Sequence, residues 1–389
     1  MSRSTLTLDE ATQPCWDAIV VGAGPAGALA AYELARRGVA VLLIEQAALP
    51  RPKPCGGCVN AAALEILKRV DDTALRELLQ RNAQPLHQLR IAWGNAQATL
   101  SIPPAVALSR ERLDHQLAEA AVAAGAQLCV RTHAIQSTAA DETRTILVHQ
   151  MGRTAALTAR VIVAATGLAP RWLSSEPGIS LHVETRSRIG FGAIANDRPD
   201  QYHPETVTLA CGRGGYVGLA RLTDSTLAIA AACVPMFIRQ SGGPAAAVSR
   251  LLDSCRLPIP RDLDTVPWHG TARLTCRATP PAAHRLLLVG DSAGYIEPFT
   301  GEGIAWALAS GQAVVDIAQD AIADWHPWLI QRWATRHDTI IGRRGALARW
   351  IRRTLNHPRL SCGLVQILSR VPALANPLIT AVNATYAVP

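Results

Sequence analysis

The sequence predicts an α/β fold with a discontinuous domain on a parallel sheet, an inserted antiparallel sheet, and a helical C-terminal region. Residues 17–24 and 39–45 are short apolar runs separated by a glycine turn and a helical segment, which is typical of buried parallel strands joined by a helix. Residues 181–275 change to alternating strands, and residues 284–318 return to a strand, a glycine loop and a helix. The predicted domains are therefore residues 1–180 with 276–321, residues 181–275, and residues 322–389.

The composition indicates a globular protein with a large core. The chain has 389 residues, of which 49% are apolar and 17% charged, so two connected domains are expected. Nine cysteines at irregular spacing do not predict a disulfide framework, which favours a reducing compartment. The first residues show no signal-peptide pattern, and no run reaches the roughly 18 apolar residues of a membrane span. We therefore expect a cytoplasmic protein.

The charge balance limits the choice of partners. The net charge of +8, most of it from arginine, suits an anionic cofactor, an anionic membrane surface or nucleic acid. The arginines are spread along the chain and aromatic residues make up only 4% of it, which does not predict base stacking, so no nucleic-acid partner is expected. The histidines have no metal-ligand spacing, and no metal is expected.

The first motif follows the first predicted strand. Gly22, Gly24 and Gly27 have the G-x-G-x-x-G spacing, with Pro25 and Ala26 at the start of the helical segment. In a dinucleotide-binding turn the first glycine permits the turn, the second lets the backbone approach a diphosphate, and the third lets helix and strand pack closely. The N–H groups at the start of the helix can then bind the phosphates.

Glu45 strengthens this interpretation, because it ends the second strand about 20 residues downstream and is followed by Gln46. A carboxylate there can accept hydrogen bonds from both ribose hydroxyls of an adenosine, and it would repel a 2′-phosphate. The alternative is that the glycines serve only a packed turn and that Glu45 is a solvated strand end.

A second motif identifies the dinucleotide. Asp291 follows an apolar run, and Gly301 and Gly303 follow Pro298 before a helix begins at about Ile304. Asp291 can accept a hydrogen bond from a ribityl hydroxyl, and N–H groups at the helix start can face the pyrimidine edge of a flavin, where negative charge develops on reduction. A nicotinamide enzyme has no use for such a second site, so FAD is the predicted cofactor.

Together these segments resemble the FAD-dependent oxidoreductases of the geranylgeranyl reductase-like branch, relatives of the aromatic hydroxylase flavoproteins. The matching segments span nearly the first 310 residues and are VVGAGPAG, KPCGGCVN, LSRERLDHQLAEAAVAAGA, VIVAATG and VGDSAGYIEPFTGEGI. The resemblance implies a Rossmann-like FAD-binding domain, an antiparallel substrate sheet that covers the flavin, and a helical C-terminal region.

The resemblance also assigns roles to individual residues. It implies that Arg110 binds near the FAD phosphates or ribityl chain and that Thr166 and Gly167 contact the adenosine side of the cofactor. It suggests Cys55 as a proton donor or substrate contact, and Tyr216, in the substrate sheet, as a substrate-binding residue. From the residues alone, Arg110 could equally be a solvated charge at the start of a helix.

The loop RPKPCGGCVN, residues 51–60, allows three interpretations. Cys55 and Cys58 could form a redox dithiol or half of a metal site, or the loop could depend on Gly56 and Gly57, where the backbone meets the cofactor. A metal site needs two more ligands that the sequence does not show. The family pattern matches Cys55 and the glycines without requiring Cys58, so the glycine interpretation is favoured.

The predicted function is FAD-dependent redox chemistry on a bulky hydrophobic small molecule, with NAD(P)H as a transient reductant. A monooxygenase that hydroxylates a phenolic or polyketide-type substrate is favoured, by resemblance to flavoproteins of polyketide pathways. The alternatives are a reductase of carbon–carbon double bonds in an isoprenoid, which GDSAG and TGEGI favour, and a non-catalytic flavin or electron-transfer protein. The hydroxylase Asp-Gly, the prenyl reductase Phe-Pro and the halogenase W-x-W-x-I-P signatures are absent, which leaves the substrate class open.

The segment GALARWIRRTL, residues 345–355, places Leu347, Trp350, Ile351 and Leu355 on one helical face and its arginines on others. The pattern is typical of a helix packed on its own domain with a solvated basic side, which is the favoured interpretation. It also suits peripheral contact of the basic C-terminal helices with an anionic membrane. A monomer or a homodimer is expected.

Overall fold

The computed structural model describes residues 4–168, 171–297, 299–384 and 386. It has the predicted α/β architecture. The helices are α1 Leu8–Thr12, α2 Pro25–Ala35, α3 Ala61–Leu67, α4 Thr73–Arg81, α5 Arg110–Ala123, α6 Pro235–Ser241, α7 Pro244–Ser254, α8 Gly303–Ala323, α9 Trp328–Leu355, α10 Pro358–Arg370 and α11 Asn376–Asn383. The strands are β1 Cys15–Val21, β2 Val41–Glu45, β3 Cys58–Val59, β4 Gln84–Trp93, β5 Ala96–Ala107, β6 Gln127–Val130, β7 His133–Ala139, β8 Arg144–Gln150, β9 Arg153–Ala164, β10 Ser180–Val183, β11 Ile189–Ala195, β12 Thr206–Gly212, β13 Gly215–Arg221, β14 Leu227–Cys233, β15 His269–Arg273, β16 Cys276–Thr279, β17 Ala282–Ala283, β18 Leu286–Leu288 and β19 Gly294–Tyr295.

The first sheet has a parallel core in the order β18-β9-β1-β2-β6. Strands β1 and β2 are apolar on both faces. Helices α2 and α8 cover one face, and α1 together with the β7–β8 hairpin covers the other. The hairpin β7–β8 extends the sheet in antiparallel fashion from β9. The carboxyl ends of β1, β2, β9 and β18 therefore open onto one edge, which is where ligands bind in folds of this kind.

The second sheet has the order β15-β11-β14-β13-β12-β4-β5-β3. Its β4–β5 hairpin comes from residues 84–107, and β4 pairs in parallel with β12. The sheet therefore begins well before the predicted boundary at residue 181, and this corrects its predicted extent. The sequence conceals the hairpin because Pro103 and Pro104 interrupt the alternation of β5, and prolines argue against a strand.

Two helices lie inside the region that was predicted as strands alone, and this is a second correction. Both α6 and α7 start with a proline at the first helical position. Proline suits this position because the N–H group that it lacks would make no intrahelical hydrogen bond there. The buried residues of α7 recur at helical spacing, at Ala247, Val248, Leu251 and Leu252. They pack against one face of the second sheet.

The C-terminal helices cover the opposite face of the second sheet. Val365 of α10 and Ala375 join a core cluster with Ile91, Leu100 and Leu209 of the sheet. The predicted helical C-terminal region is confirmed in its secondary structure. Among the described helices, none combines the length and the apolar character that crossing a membrane requires.

Close approach of α8 to α2 depends on Gly311. A Cβ atom at this position would lie 2.3 Å from the carbonyl oxygen of Ala26, whereas a Cβ at Gly342 of α9 would meet nothing within 4 Å. We expect Gly311→Ala to lower the stability by about 1–3 kcal/mol, because α8 must move away from α2. Gly342→Ala should instead raise it by about 0.5–1 kcal/mol through helix propensity.

The two variants form a matched pair because both replace a helical glycine by alanine. Urea or thermal unfolding of the purified protein measures the difference. Equal effects of the two substitutions would contradict the close approach of the helices.

Candidate cofactor and substrate site

The glycine turn after β1 has the geometry that the sequence predicted. Gly22 has φ +105°, and a Cβ there would lie 2.4 Å from the carbonyl oxygen of Ala165. A Cβ at Gly27 would lie 1.9 Å from the Gly22 carbonyl oxygen. Helix α2 starts at Pro25 and has no side-chain cap, so its first N–H groups are available to an anionic ligand.

Glu45 lies beside this turn and is not a solvated strand end. Its side chain is 3% exposed. Its carboxylate accepts hydrogen bonds from the N–H of Ala23 at 2.9 Å and of Ala47 at 3.1 Å. It also pairs with the guanidinium of Arg51 at 3.1 Å. The acidic group predicted to bind ribose is therefore held next to the glycine turn.

Arg51 is a site residue that sequence reasoning missed. Its Nε and Nη1 atoms are buried and make no hydrogen bond within the described residues, and the nearest carboxylate oxygen to Nη1 in an ion pair is Asp114 Oδ2 at 3.5 Å. Buried donors of this kind need an acceptor, and a phosphate oxygen is a suitable one. The available signal was a basic residue in the loop that follows the acidic end of β2, but loop arginines are usually solvated.

Arg110 occupies the first turn of α5 and is not a solvated charge. Its Nε and Nη2 donate to the two carboxylate oxygens of Asp114 at 2.8 and 2.9 Å. Burial lowers the pKa of Arg110, but Asp114 and the neighbouring Cys55 thiol outweigh burial and raise that pKa above its usual range. The guanidinium is therefore fixed as a cation at the wall of the cavity.

Lys53 and Asp291 both line the cavity and interact electrostatically. Burial raises the pKa of Asp291, against the effects of Lys53 and Arg110. Burial, together with Arg51 and Arg110, lowers the pKa of Lys53. Protein atoms surround Lys53, which lowers its pKa, yet its side chain keeps accessible surface because it lines the cavity. An anionic cofactor would therefore find a cluster of cations there.

The loops after β9 and β18 are tied together by Ser292. The Oγ atoms of Ser292 and Thr166 lie 3.1 Å apart, and the N–H of Gly167 donates to Ser292 Oγ at 3.1 Å. Two motifs that were predicted separately therefore meet at the same edge of the first sheet.

The loop before α8 completes this wall. Gly301 has φ +73°, which favours glycine. Helix α8 begins at Gly303, one residue before the predicted start at Ile304, and has no side-chain cap. Pro298 lies outside the described residues.

The Cys55 loop passes along the cavity. Gly57 has φ +68°, and a Cβ there would lie 2.6 Å from the carbonyl oxygen of Leu108, whereas a Cβ at Gly56 would make only an ordinary 3.6 Å contact. Cys55 Sγ accepts from the N–H of Gly57 at 3.4 Å. Burial raises the pKa of the Cys58 thiol to about 12. Both thiols are free, and no group of three or more metal-ligating side chains occurs among the described residues.

Most of these residues line one cavity of about 830 Å³. Gly27 and Gly57 serve backbone packing and do not line it. The predicted residues that line the cavity are Gly22, Gly24, Pro25, Ala26, Glu45, Gln46, Cys55, Gly56, Arg110, Thr166, Gly167, Tyr216, Asp291, Gly301, Gly303 and Ile304. Their contacts with a bound cofactor remain a prediction.

The far half of the cavity is apolar. It runs between the second sheet, with Leu89 and Leu209 in its wall, and the C-terminal helices, with Ile351 and Leu368. Tyr216 also lies in this wall and packs edge-on against Phe299, with the ring centroids 5.0 Å apart. Burial raises the pKa of the Tyr216 hydroxyl well above its usual value, so this hydroxyl stays neutral.

A buried ion pair connects the loop before α8 with the second sheet and the C-terminal helices. Arg188 Nη1 donates to Glu297 at 2.7 Å, and its Nη2 donates to Asn356 at 2.8 Å. Tyr216 lies against Glu297. Burial raises the pKa of Glu297, although Arg188 lowers it. Sequence reasoning did not find this pair, because its members are 109 residues apart in the chain.

Removing the cation of this pair should destabilise the protein. Arg188→Met leaves Glu297 buried without its partner, which costs about 3–5 kcal/mol. The pKa of Glu297 should then rise further, so the loss is smallest below the ordinary glutamate pKa and grows as pH rises through the elevated pKa.

Unfolding curves between pH 4 and 8 measure this loss of stability. Arg277→Met is the control, because Arg277 pairs with Asp338 at the surface, and it should change stability by less than about 1 kcal/mol. Equal losses for both variants, or a loss independent of pH, would contradict the role of the pair.

Comparisons with known proteins agree with this geometry. Residues 16–220 match the sequence pattern of a family described as an FAD binding domain. Digeranylgeranylglycerophospholipid reductase 2 of Methanosphaera stadtmanae is 27% identical over 321 residues, covering 79% of this chain and 79% of the relative. The menaquinone reductase of Mycolicibacterium smegmatis is 27% identical over 341 residues, covering 77% and 76%.

Solved structures with this fold include the flavin-dependent brominase Bmp2, with a TM-score of 0.78 and 17% identity over 95% of this chain and 94% of that one. A geranylgeranyl bacteriochlorophyll reductase-like protein from Thermoplasma acidophilum has a TM-score of 0.76 and 20% identity over 95% and 96%. The buried donors of Arg51 and the glycine turns fit the diphosphate of FAD. Since the family match covers more than half of the chain, the chain belongs to the FAD binding domain family and is an FAD-dependent oxidoreductase.

Proposed function

We propose that the protein reduces carbon–carbon double bonds in the isoprenoid chain of a lipid. The observation that carries this proposal is the shape of the cavity, which continues from the predicted FAD-binding residues into an apolar space between the second sheet and the C-terminal helices. A long hydrocarbon chain fills such a space favourably, with about 0.8 kcal/mol for each buried CH₂ group. The names of the two curated relatives, a digeranylgeranylglycerophospholipid reductase and a menaquinone reductase, support the same class of substrate.

The reaction adds a hydride to one carbon and a proton to the other. Bound FAD in its reduced form supplies the hydride, and NAD(P)H would restore the reduced form. The glycine turns and the cations Arg51 and Arg110 would bind and orient the cofactor, and Glu45 would bind its ribose. The apolar walls orient the chain and exclude water from it.

Cys55 is the proposed proton donor. It lines the cavity and lies against Arg110, a permanent cation that stabilises the thiolate left after the proton is transferred. The thiolate then recovers a proton from solvent.

Hydroxylation of a phenolic ring, which the sequence favoured, is the second candidate. The edge-on contact of Tyr216 and Phe299 in the cavity wall supports it, because aromatic side chains pack well against a substrate ring. The likeness to the brominase concerns the fold alone.

The two candidates differ in their products and in their need for oxygen. We expect the protein, supplied with NAD(P)H under nitrogen, to add two hydrogens for each double bond of a lipid with an unsaturated isoprenoid chain. Mass spectrometry of the product measures this. A product with one added oxygen, formed only in air, would instead support hydroxylation.

Substitutions of the two loop cysteines test the proton donor. Cys55→Ser should lower turnover roughly 10² to 10⁴-fold, since serine is a much weaker acid, and should leave the FAD content unchanged. Cys58→Ser is the matched control and should change turnover little, because the buried Cys58 thiol, with its pKa raised to about 12, stays protonated. Equal losses for both variants would instead support a redox dithiol.

A further inference from the structure

We propose that the C-terminal helices bind the surface of an anionic lipid bilayer. The binding surface, here called the C-terminal patch, consists of the exposed apolar residues Trp350, Leu360, Ile367, Val371 and Leu374 and the exposed arginines Arg349, Arg353, Arg359 and Arg370. This proposal goes beyond the proposed reaction, and its test does not depend on which substrate the protein takes.

Large apolar side chains are concentrated in this patch. Trp350, Leu360, Ile367, Val371 and Leu374 are between 48% and 61% exposed, within a stretch of 25 residues. Other exposed large apolar residues, such as Met151 and Ile259, are scattered over the chain. Scattered residues of this kind are normal on soluble proteins, whereas a contiguous apolar patch marks an interaction surface.

Helix α10 has two apolar faces, of which only one packs against the second sheet. Val365 packs on the second sheet, together with the half-buried Leu368. Leu360, Leu364 and Ile367 follow the spacing i, i+4, i+7 along another face, which continues to Val371. This second face is half-buried or exposed in the described structure. The arrangement is typical of a helix that lies in a membrane interface.

The charge of this region favours an anionic partner. Residues 339–389 contain seven arginines and no aspartate or glutamate. The charge of these side chains is therefore +7, close to the net charge of +8 for the whole chain. Arg359 and Arg370 lie at the two ends of α10 and are exposed. In a dimer through this patch, the arginines of one copy would lie against the arginines of the other. Like-charge repulsion therefore disfavours such a dimer. In an anionic bilayer the lipid headgroups attract the arginines, and the apolar side chains are buried among the acyl chains.

The patch also coincides with an opening of the cavity. Trp350 is 55% exposed and at the same time lines the cavity, as does Leu364 of α10. A lipid chain could therefore pass from the bilayer into the cavity at this point without crossing water. Exposing the lipid chain to water costs free energy, and this cost rises with every CH₂ group. Direct passage from the bilayer into the cavity avoids it.

Binding of the full FAD-loaded protein to vesicles tests the proposal. Sedimentation with vesicles of phosphatidylcholine containing 30% phosphatidylglycerol should retain the protein, whereas pure phosphatidylcholine vesicles should retain much less. Arg359→Gln/Arg370→Gln should weaken binding to anionic vesicles by more than about tenfold, since each basic residue near the surface contributes roughly fivefold. High salt should have the same effect.

The apolar contribution is tested by Leu360→Ser/Ile367→Ser/Leu374→Ser, none of which lines the cavity. This variant should lose most vesicle binding, while Met151→Ser/Met236→Ser/Ile259→Ser, which removes three exposed apolar residues elsewhere, should bind like the parent protein. FAD absorbance and the thermal midpoint confirm that each variant is folded.

Three outcomes would overturn the proposal. The first is equal binding to neutral and anionic vesicles, and the second is undiminished binding of the C-terminal triple variant. The third is a dimer in gel filtration that the C-terminal triple variant abolishes, because the patch would then be an interface between two copies. Since binding is measured without substrate, a failure here leaves the proposed reduction untouched, and a failed reaction leaves the binding result untouched.

Discussion

The structure depends on close packing of α2 and α8 around the glycine turn that follows β1. The backbone at Gly22, Gly27 and Gly311 lies so near its neighbours that no Cβ fits at any of the three positions. This packing holds the start of α2 at the carboxyl end of β1 and places α8 beside it. The N-termini of both helices therefore line the same cavity, where the sequence predicts the diphosphate and the flavin of one cofactor.

Much of this first domain could be predicted from the sequence, because its signals are local. Gly22, Gly24 and Gly27 lie between a strand and a helix, and their spacing predicts both the turn and its close packing. Glu45 follows within the same short segment and predicts the acidic residue beside the turn. Asp291 and the glycines near it belong to a second local segment. The position of Thr166 came from the resemblance to a known family.

The features that escaped prediction depend on contacts between distant segments. Arg51 resembles any loop arginine until Glu45 and Asp114 are placed beside it. Arg188 and Glu297 carry no local signal, since burial and pairing arise only when the second sheet meets the loop before α8. The hairpin of β4 and β5 escaped for another reason, because two prolines hide the alternation that would reveal a strand.

The parallel pairing of β4 with β12 has a consequence for how the chain folds. More than a hundred residues separate the two strands in the sequence, so the pairing closes a long loop and contributes a high contact order. During synthesis β4 is made first, and its outer edge stays unpaired until β12 has left the ribosome. An open edge of this kind is prone to pair with other chains, so the nascent chain is vulnerable to aggregation from the emergence of β4 until the emergence of β12.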